Sequence, residues 1–393
     1  MSVTNATTTN PSGNAKGKKV VIGIIAVATV AVIGIFAIRN PSKSVNRDVV
    51  KIGAILPLTG AFANMGQENR AGIELAVEKI NRNGRRIEVV YEDSKGEAKT
   101  SVSAMKKLET QNINKVILST SATVSPILEM YKNNKDFFFV ANCLKAGVLN
   151  DTSNAIRVFF AIEGETIMMT DYILKNKFKR VSILKGNTEG LLAPAESLQN
   201  KLIAINPAII FHEQTFEFSD TDFRTKFVSV RNFNPDILVI LSYADQFEQI
   251  TRHLVEQNID YPILAHSGFG TAAENEFYKD LEIMNNIVFP APKFVLTKNH
   301  PENIKLFNDL KEKYNFLPNW NVLYFYDTIM VMAENLEYSN ENSEFIRAVC
   351  SKEYQGITGK IAFDSAHDLK PDDLVMVNFV EGNYKLVAEF DAK

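Results

Sequence analysis

Val49-Val50-Lys51-Ile52-Gly53-Ala54-Ile55-Leu56-Pro57-Leu58-Thr59-Gly60-Ala61-Phe62-Ala63-Asn64-Met65-Gly66 joins an apolar run to a glycine-containing loop. An apolar run of this length stopped by proline reads as a buried strand. Gly60 and Gly66 allow the backbone to turn. A helix is expected from about Gln67, because Ile73, Val77 and Ile80 recur at helical spacing.

The alternation continues downstream. Strands are expected at Ile87–Tyr91, Val116–Leu118 and Phe137–Val140, with helices at Thr100–Thr110 and Pro126–Asn133. After Arg157 the pattern restarts, with strands near 180–184, 208–211, 236–241 and 262–265. Helices are expected near 165–176, 193–204, 222–232 and 245–257, and a later one over Phe325–Leu336. Val375–Phe379 and Tyr384–Phe390 flank Glu381-Gly382-Asn383 and read as a hairpin. Repeated β-α order predicts parallel sheets covered by helices, and two successive series predict two sheets.

The chain has 393 residues and a net charge of −3. Its length suits two compact units of roughly 100–200 residues each. Lys16, Lys18, Lys19, Arg39, Lys43 and Arg47 give residues 1–47 a charge of +6 with no acid, which leaves −9 on the rest. A body of that sign has little with which to neutralise phosphates, so no nucleic-acid partner is expected. Two cysteines, Cys143 and Cys350, allow one disulfide but no disulfide scaffold.

Residues 1–19 are polar and basic and read as a disordered tail. Val20–Ile38 is uncharged over 19 residues, roughly 28 Å as a helix, about the hydrocarbon thickness of a bilayer. Three readings compete: a buried core helix, which is usually shorter and has one polar face, a cleaved signal peptide and an uncleaved signal-anchor. The small-residue pattern Ala26-Val27-Ala28 lies inside the apolar run, which favours the anchor. Residues 39–47 form a linker.

Catalytic patterns are absent from the sequence. The five histidines are dispersed, with none at helix-face spacing, so no metal site is expected. There is no Walker loop and no Gly-x-Gly-x-x-Gly after the first strand, and no cofactor is expected. His266-Ser267-Gly268-Phe269-Gly270 lacks the nucleophile elbow and reads as a loop, with a serine hydrolase as the rival reading. The strand ends are more informative. Ser119-Thr120-Ser121-Ala122-Thr123-Val124-Ser125 holds five hydroxyls in seven residues, ahead of Pro126. Hydroxyls at a helix N-terminus suit a carboxylate; the alternative is that they cap a helix beginning at Pro126.

Pro57-Leu58-Thr59-Gly60, Ala63, Gly66, Gly72, Leu75-Ala76-Val77-Glu78, Asn81 and Gly84 resemble the opening signature of the branched-chain amino-acid-binding family. These are type I periplasmic solute receptors of ABC importers. Asp93, Arg157, Asn234-Pro235-Asp236, Tyr326-Asp327, Gly356, Gly359 and Phe363-Asp364 extend the resemblance over about residues 48–390. It implies an α/β fold of two Rossmann-like lobes joined by three crossovers, with ligand in the cleft between them. Lobe 1 is expected at 48–162 and 291–365, and lobe 2 at 163–290 and 366–393.

The resemblance also implies a site. Ser121, Ala122 and Thr123 match the hydroxyl loop that holds a ligand carboxylate. Met65 lies where an aromatic residue packs on the ligand. Asp245, in Ser242-Tyr243-Ala244-Asp245, matches the acid that holds an ammonium. Two stretches depart from the family, Cys143-Leu144-Lys145-Ala146-Gly147 and Thr188-Glu189-Gly190. Lys145 and Glu189 add charges there, so the implied ligand extends from amino acids to small peptides, amides and carboxylated metabolites. The expected protein is a monomeric, non-enzymatic receptor outside the cytoplasmic membrane that serves ABC permease subunits. A sensory module of the same fold is the alternative.

Overall fold

The computed structural model describes residues 49–389 apart from 133, 279, 298–300, 316–318 and 371–373, and only the backbone of 245, 297, 301 and 302. The expected tail, apolar span and linker of residues 1–47 lie outside the described residues. Among the described residues no helix is long and apolar enough to cross a membrane.

The first series is β1 (Val50–Leu56), α1 (Ala63–Arg82), β2 (Ile87–Asp93), α2 (Ala98–Thr110), β3 (Lys115–Ser119), α3 (Ser121–Tyr131), β4 (Phe138–Asn142) and β5 (Ala155–Ile156). Its strands form a parallel sheet in the order β2-β1-β3-β4-β5. Side chains alternate between two apolar clusters. Ala54, Leu56, Ile117, Phe138 and Val140 enter one cluster, while Ile55, Val116, Leu118, Phe139 and Ala141 enter the other. A sheet covered on both faces needs apolar residues at both parities, which is why these strands read as unbroken apolar runs.

The second series is α4 (Ile162–Lys175), β6 (Arg180–Gly186), α5 (Glu189–Ile205), β7 (Ile210–Phe216), α6 (Arg224–Phe233), β8 (Ile237–Leu241), α7 (Ala244–Glu256), β9 (Ile263–Ala265), the short α8 (Gly268–Ala272) and β10 (Ile287–Pro292). Then come α9 (Pro301–Tyr314), α10 (Trp320–Ala333), α11 (Asn342–Cys350), β11 (Tyr354–Gln355), β12 (Lys360–Ile361), β13 (Leu374–Val380) and β14 (Asn383–Glu389). The second sheet runs β14-β13-β10-β9-β8-β6-β7. It is parallel from β10 to β7, and β13 and β14 add antiparallel strands at one edge. The β13–β14 turn places Glu381 at φ 54° and Gly382 at φ 74°, the handedness a two-residue hairpin turn requires.

The chain passes between the sheets after β5, between β10 and α9, and between β12 and β13. The boundary expected at 290/291 falls inside β10, whose ladder to β13 continues through Pro292. Helices α1 and α10 cross closely: a Cβ on Gly72 would lie 2.1 Å from the Val322 carbonyl oxygen.

Several element boundaries differ from expectation. Helix α1 starts at Ala63 rather than Gln67, and α10 starts at Trp320 rather than Phe325. Helix α3 starts at Ser121, five residues before Pro126, which sits inside it. Proline most often marks the first turn of a helix, so its position suggests a late start that tertiary packing overrides. Helices α9 and α11 were not expected. Cys143 and Cys350 are both free thiols.

Candidate ligand-binding cleft

In each sheet the strand order reverses at one point, between β1 and β3 in the first and between β6 and β8 in the second. Such reversal opens a crevice at the carboxyl ends of the strands. A cavity of roughly 90 Å³ lies between the two sets of strand ends. At about 10–15 Å³ per water-sized group it accommodates roughly six to nine such groups.

The loop after β1 supplies Phe62, Asn64 and Met65, and α1 supplies Glu68 and Asn69. Asp93 anchors this loop: Oδ1 accepts the Leu58 N–H at 2.9 Å, and Oδ2 accepts the Thr59 hydroxyl at 2.5 Å. Burial pushes the Asp93 carboxyl up, but bonds from Thr59, Lys95 and Leu58 outweigh it and hold the group below its ordinary range.

Beyond β3, Ser119, Thr120 and Ser121 line the cavity. Thr120 precedes α3 at φ 75° and ψ 147° and gives that helix no side-chain cap bond. A β-branched residue seldom enters this region, and such strain concentrates at functional sites. The first helical bonds run from the N–H groups of Thr123 and Val124 to the Thr120 carbonyl, at 3.2 and 3.0 Å. The N–H groups of Ser121 and Ala122 therefore sit ahead of the bonded turn. The reading of these hydroxyls as caps for a helix from Pro126 is corrected: they belong to the first turns of α3 and the residue before it.

Beyond β4, Asn142, Cys143 and Leu144 join the wall. Burial pushes the Cys143 thiol up. The fully buried Arg157 fixes this segment. It donates to the carbonyls of Cys143 at 3.1 Å and Lys145 at 2.7 Å, and it makes a two-armed ion pair with Asp368 in the connection to β13. The cleft segment is thereby tied to a connection between the lobes.

The second lobe contributes Tyr243 and Ala244 after β8, and His266, Ser267, Gly268 and Thr271 after β9. Burial pushes the Tyr243 phenol up to about 12. Phe62 stands edge-on to Phe218 and Tyr243, with ring centres 5.5 and 5.4 Å apart, and so packs one lobe on the other. A Cβ on Gly190 would lie 2.4 Å from the Tyr243 hydroxyl. Trp320, Asn321 and Phe325 of α10, with Phe159 and Phe160 of the first connection, close the remaining sides.

Of the residues singled out from the sequence, Met65, Ser121 and Cys143 line the cavity. Ala122 is set back in α3, and Thr123 is fully buried, accepting from Ser101 at 3.0 Å. Lys145 and Glu189 are not in the wall. They pair across its rim at 2.7 Å, and Lys145 also donates to Ser125 at 3.1 Å. Asp245 lies in the first turn of α7, and its side chain is outside the described ones. Sequence reasoning missed Glu68, Asn69, Phe159, Phe160, Trp320, Asn321 and Phe325. The usable signals were the chain's single tryptophan and the aromatic pair just after Arg157. Among the described residues no group of three His, Cys, Asp or Glu is placed to hold a metal.

The hydrolase reading meets a geometric obstacle. The Ser267 hydroxyl donates to Glu165 Oε2 at 2.8 Å, while His266 Nδ1 accepts the Gly268 N–H at 3.0 Å. Serine and histidine therefore spend these groups elsewhere than on each other.

A family model for periplasmic binding protein matches residues 49–382, so the chain belongs to that family. The resemblance to its branched-chain amino-acid-binding members is borne out. The Leu/Ile/Val-binding protein homolog 2 of Brucella abortus is 23% identical over 354 residues, covering 85% of this chain and 91% of that protein. The substrate binding protein LivJ of Streptococcus pneumoniae, in complex with isoleucine, aligns with TM-score 0.74 at 21% identity, covering 87% and 99% of the two chains. An ABC transporter solute binding protein of R. palustris, in complex with benzoate, aligns with TM-score 0.75 at 14% identity, covering 87% and 96%.

Proposed function

We propose that this protein is an extracytoplasmic solute receptor that encloses an amino acid or related small polar compound between its lobes and presents it to an ABC importer. The observation that carries this reading is the small cavity between the strand ends at the reversal points of the two sheets. No Lys or Arg is among its described lining residues, and the N–H groups of Ser121 and Ala122 offer a place for a carboxylate. In this reading Ser121 adds its hydroxyl, Thr123 supports α3 from behind, and Met65 and Cys143 pack on the ligand. Asp245 supplies negative charge for an ammonium, and the Lys145–Glu189 pair closes the rim. Lobe 1 takes 49–162 and the segment from α9 to 365, and lobe 2 takes 163–292 and the β13–β14 hairpin.

The ligand bridges the lobes and favours the closed form, which the permease subunits read. The receptor acts as a monomer and is not an enzyme. The Leu/Ile/Val-binding protein homolog of Brucella and the isoleucine bound in the Streptococcus structure support an amino acid as the ligand. A thermal-shift screen against amino acids, small peptides, amides and organic acids tests the reading. A true ligand at 100 times its Kd adds about 2.7 kcal/mol of stability, and a panel without any stabilising compound overturns the proposal.

Val20–Ile38 anchors the receptor in the cytoplasmic membrane with the lobes outside. The full chain then resists carbonate extraction, because the span carries no charge. Soluble protein whose N-terminus maps between Ala28 and Ser44 would show cleavage instead.

A further inference from the structure

Glu165, in the first turn of α4, is fully buried. Both its oxygens are engaged by Ser267: Oε1 accepts the N–H and Oε2 the hydroxyl, each at 2.8 Å. Among the described residues no Lys or Arg pairs with it. His266 Nε2 lies 3.8 Å from Oε1. A carboxylate buried without a counter-charge is costly, and the positive end of α4 offsets only part of that cost.

Ser267 lines the cavity. Because its hydroxyl hydrogen is given to Glu165, what Ser267 offers a ligand is its lone pairs, backed by a negative charge. Hydrogen bonds linked in this way polarise one another in a low-dielectric interior. Glu68, the acid in the cavity wall, is placed differently. It is half-buried and accepts from Asn319 at 2.7 Å and Asn321 at 3.2 Å, so solvent and two amides share its charge.

We propose that Glu165, acting through Ser267, is the positioning residue that makes the second-lobe wall of the cleft select ligands carrying an ammonium group. This rests on the receptor reading. The ligand's N–H donates to Ser267 Oγ, and the buried charge behind it favours the cationic amine over an uncharged group of the same size. A des-amino analogue leaves the charge uncompensated and the Ser267 lone pairs unmatched.

The test measures calorimetric affinity of the full chain for the twenty L-amino acids, and for the des-amino acid matching the strongest binder. Wild type should prefer the amine at least thirtyfold. Glu165→Gln should lower that preference at least threefold by weakening the amino acid, with the des-amino acid bound as before or more tightly. Ser267→Ala should also lower the preference at least threefold, and it serves if Glu165→Gln fails to fold. A merely structural role would weaken both compounds alike. Equal weakening, or an unchanged preference in both variants, overturns the inference while leaving the receptor reading intact. If no amino acid binds the wild type, the inference falls together with the amino-acid reading.

Discussion

Lys115 shows how far a single residue can be pushed by its surroundings. It is buried at the start of β3 and donates to the Ser339 carbonyl and Asn342 Oδ1, both at 2.7 Å. Burial pulls its ammonium down to about 8 from 10.5. In this window the unfolded chain holds more protons than the folded one, so this group's contribution to stability rises with pH. The burial penalty is present in full below about pH 8 and is relieved as pH rises towards 10.5, a change of about 3 kcal/mol. Denaturant titrations of Lys115→Met from pH 7 to 10.5 should lack this rise. A slope equal to that of wild type would show that the amine is not desolvated. Asp245 is argued at the same scale. If it faces the ligand ammonium, Asp245→Ala costs about 2–5 kcal/mol of binding with folding unchanged. If it only complements the positive end of α7, it costs about 0.3–1 kcal/mol of folding stability with binding intact. Paired calorimetry and denaturation separate the two.

At the scale of elements, two glycines predict opposite outcomes for the same substitution. Gly72 lets α1 approach the α10 backbone, and an added methyl would meet a carbonyl oxygen that cannot move. Gly72→Ala should cost about 1–3 kcal/mol of stability or more, read from the denaturation midpoint. Gly190 touches the Tyr243 hydroxyl of the same lobe instead. Tyr243 is stacked on Phe218 and capped by Phe62 of the other lobe, so moving it disturbs the closed cleft. Gly190→Ala should weaken ligand binding about tenfold, roughly 1.4 kcal/mol. Its stability should stay within about 0.5 kcal/mol of wild type. A stability loss matching that of Gly72→Ala would place Gly190 in the lobe's own packing.

At the scale of the whole molecule, the described contacts across the cleft include the Lys145–Glu189 pair and the Phe62 ring contacts. The Lys145–Glu189 pair is half-exposed, and exposed pairs contribute about 0–1 kcal/mol. The Phe62 contacts add about 0.5–1.5 kcal/mol each. Bonds of this size leave closure to the ligand. Small-angle scattering should therefore show a smaller radius of gyration with a saturating ligand from the stability screen. An identical curve with verified ligand would remove the hinge mechanism.

The sequence by itself determined the layered α/β architecture and the two series of strands. Apolar runs such as Ile52–Leu56 and Val116–Leu118, separated by helical spacing, have no other economical burial. It also determined the family, through the ordered residues between Pro57 and Asp364, and it marked Met65, Ser121 and Cys143 at strand ends. Only the tertiary structure decided which side chains meet in the cleft. Trp320 and Phe325 lie more than 170 residues from Cys143, yet both reach one cavity because α10 packs on α1. Lys145 and Glu189 neutralise each other at the rim, a pairing that depends on how the lobes close and leaves no local pattern. In the sequence Glu165 stands only at the start of the helix expected near 165–176. Its burial behind Ser267 follows from α4 packing against the end of β9, a contact between residues 102 positions apart that no local periodicity can report.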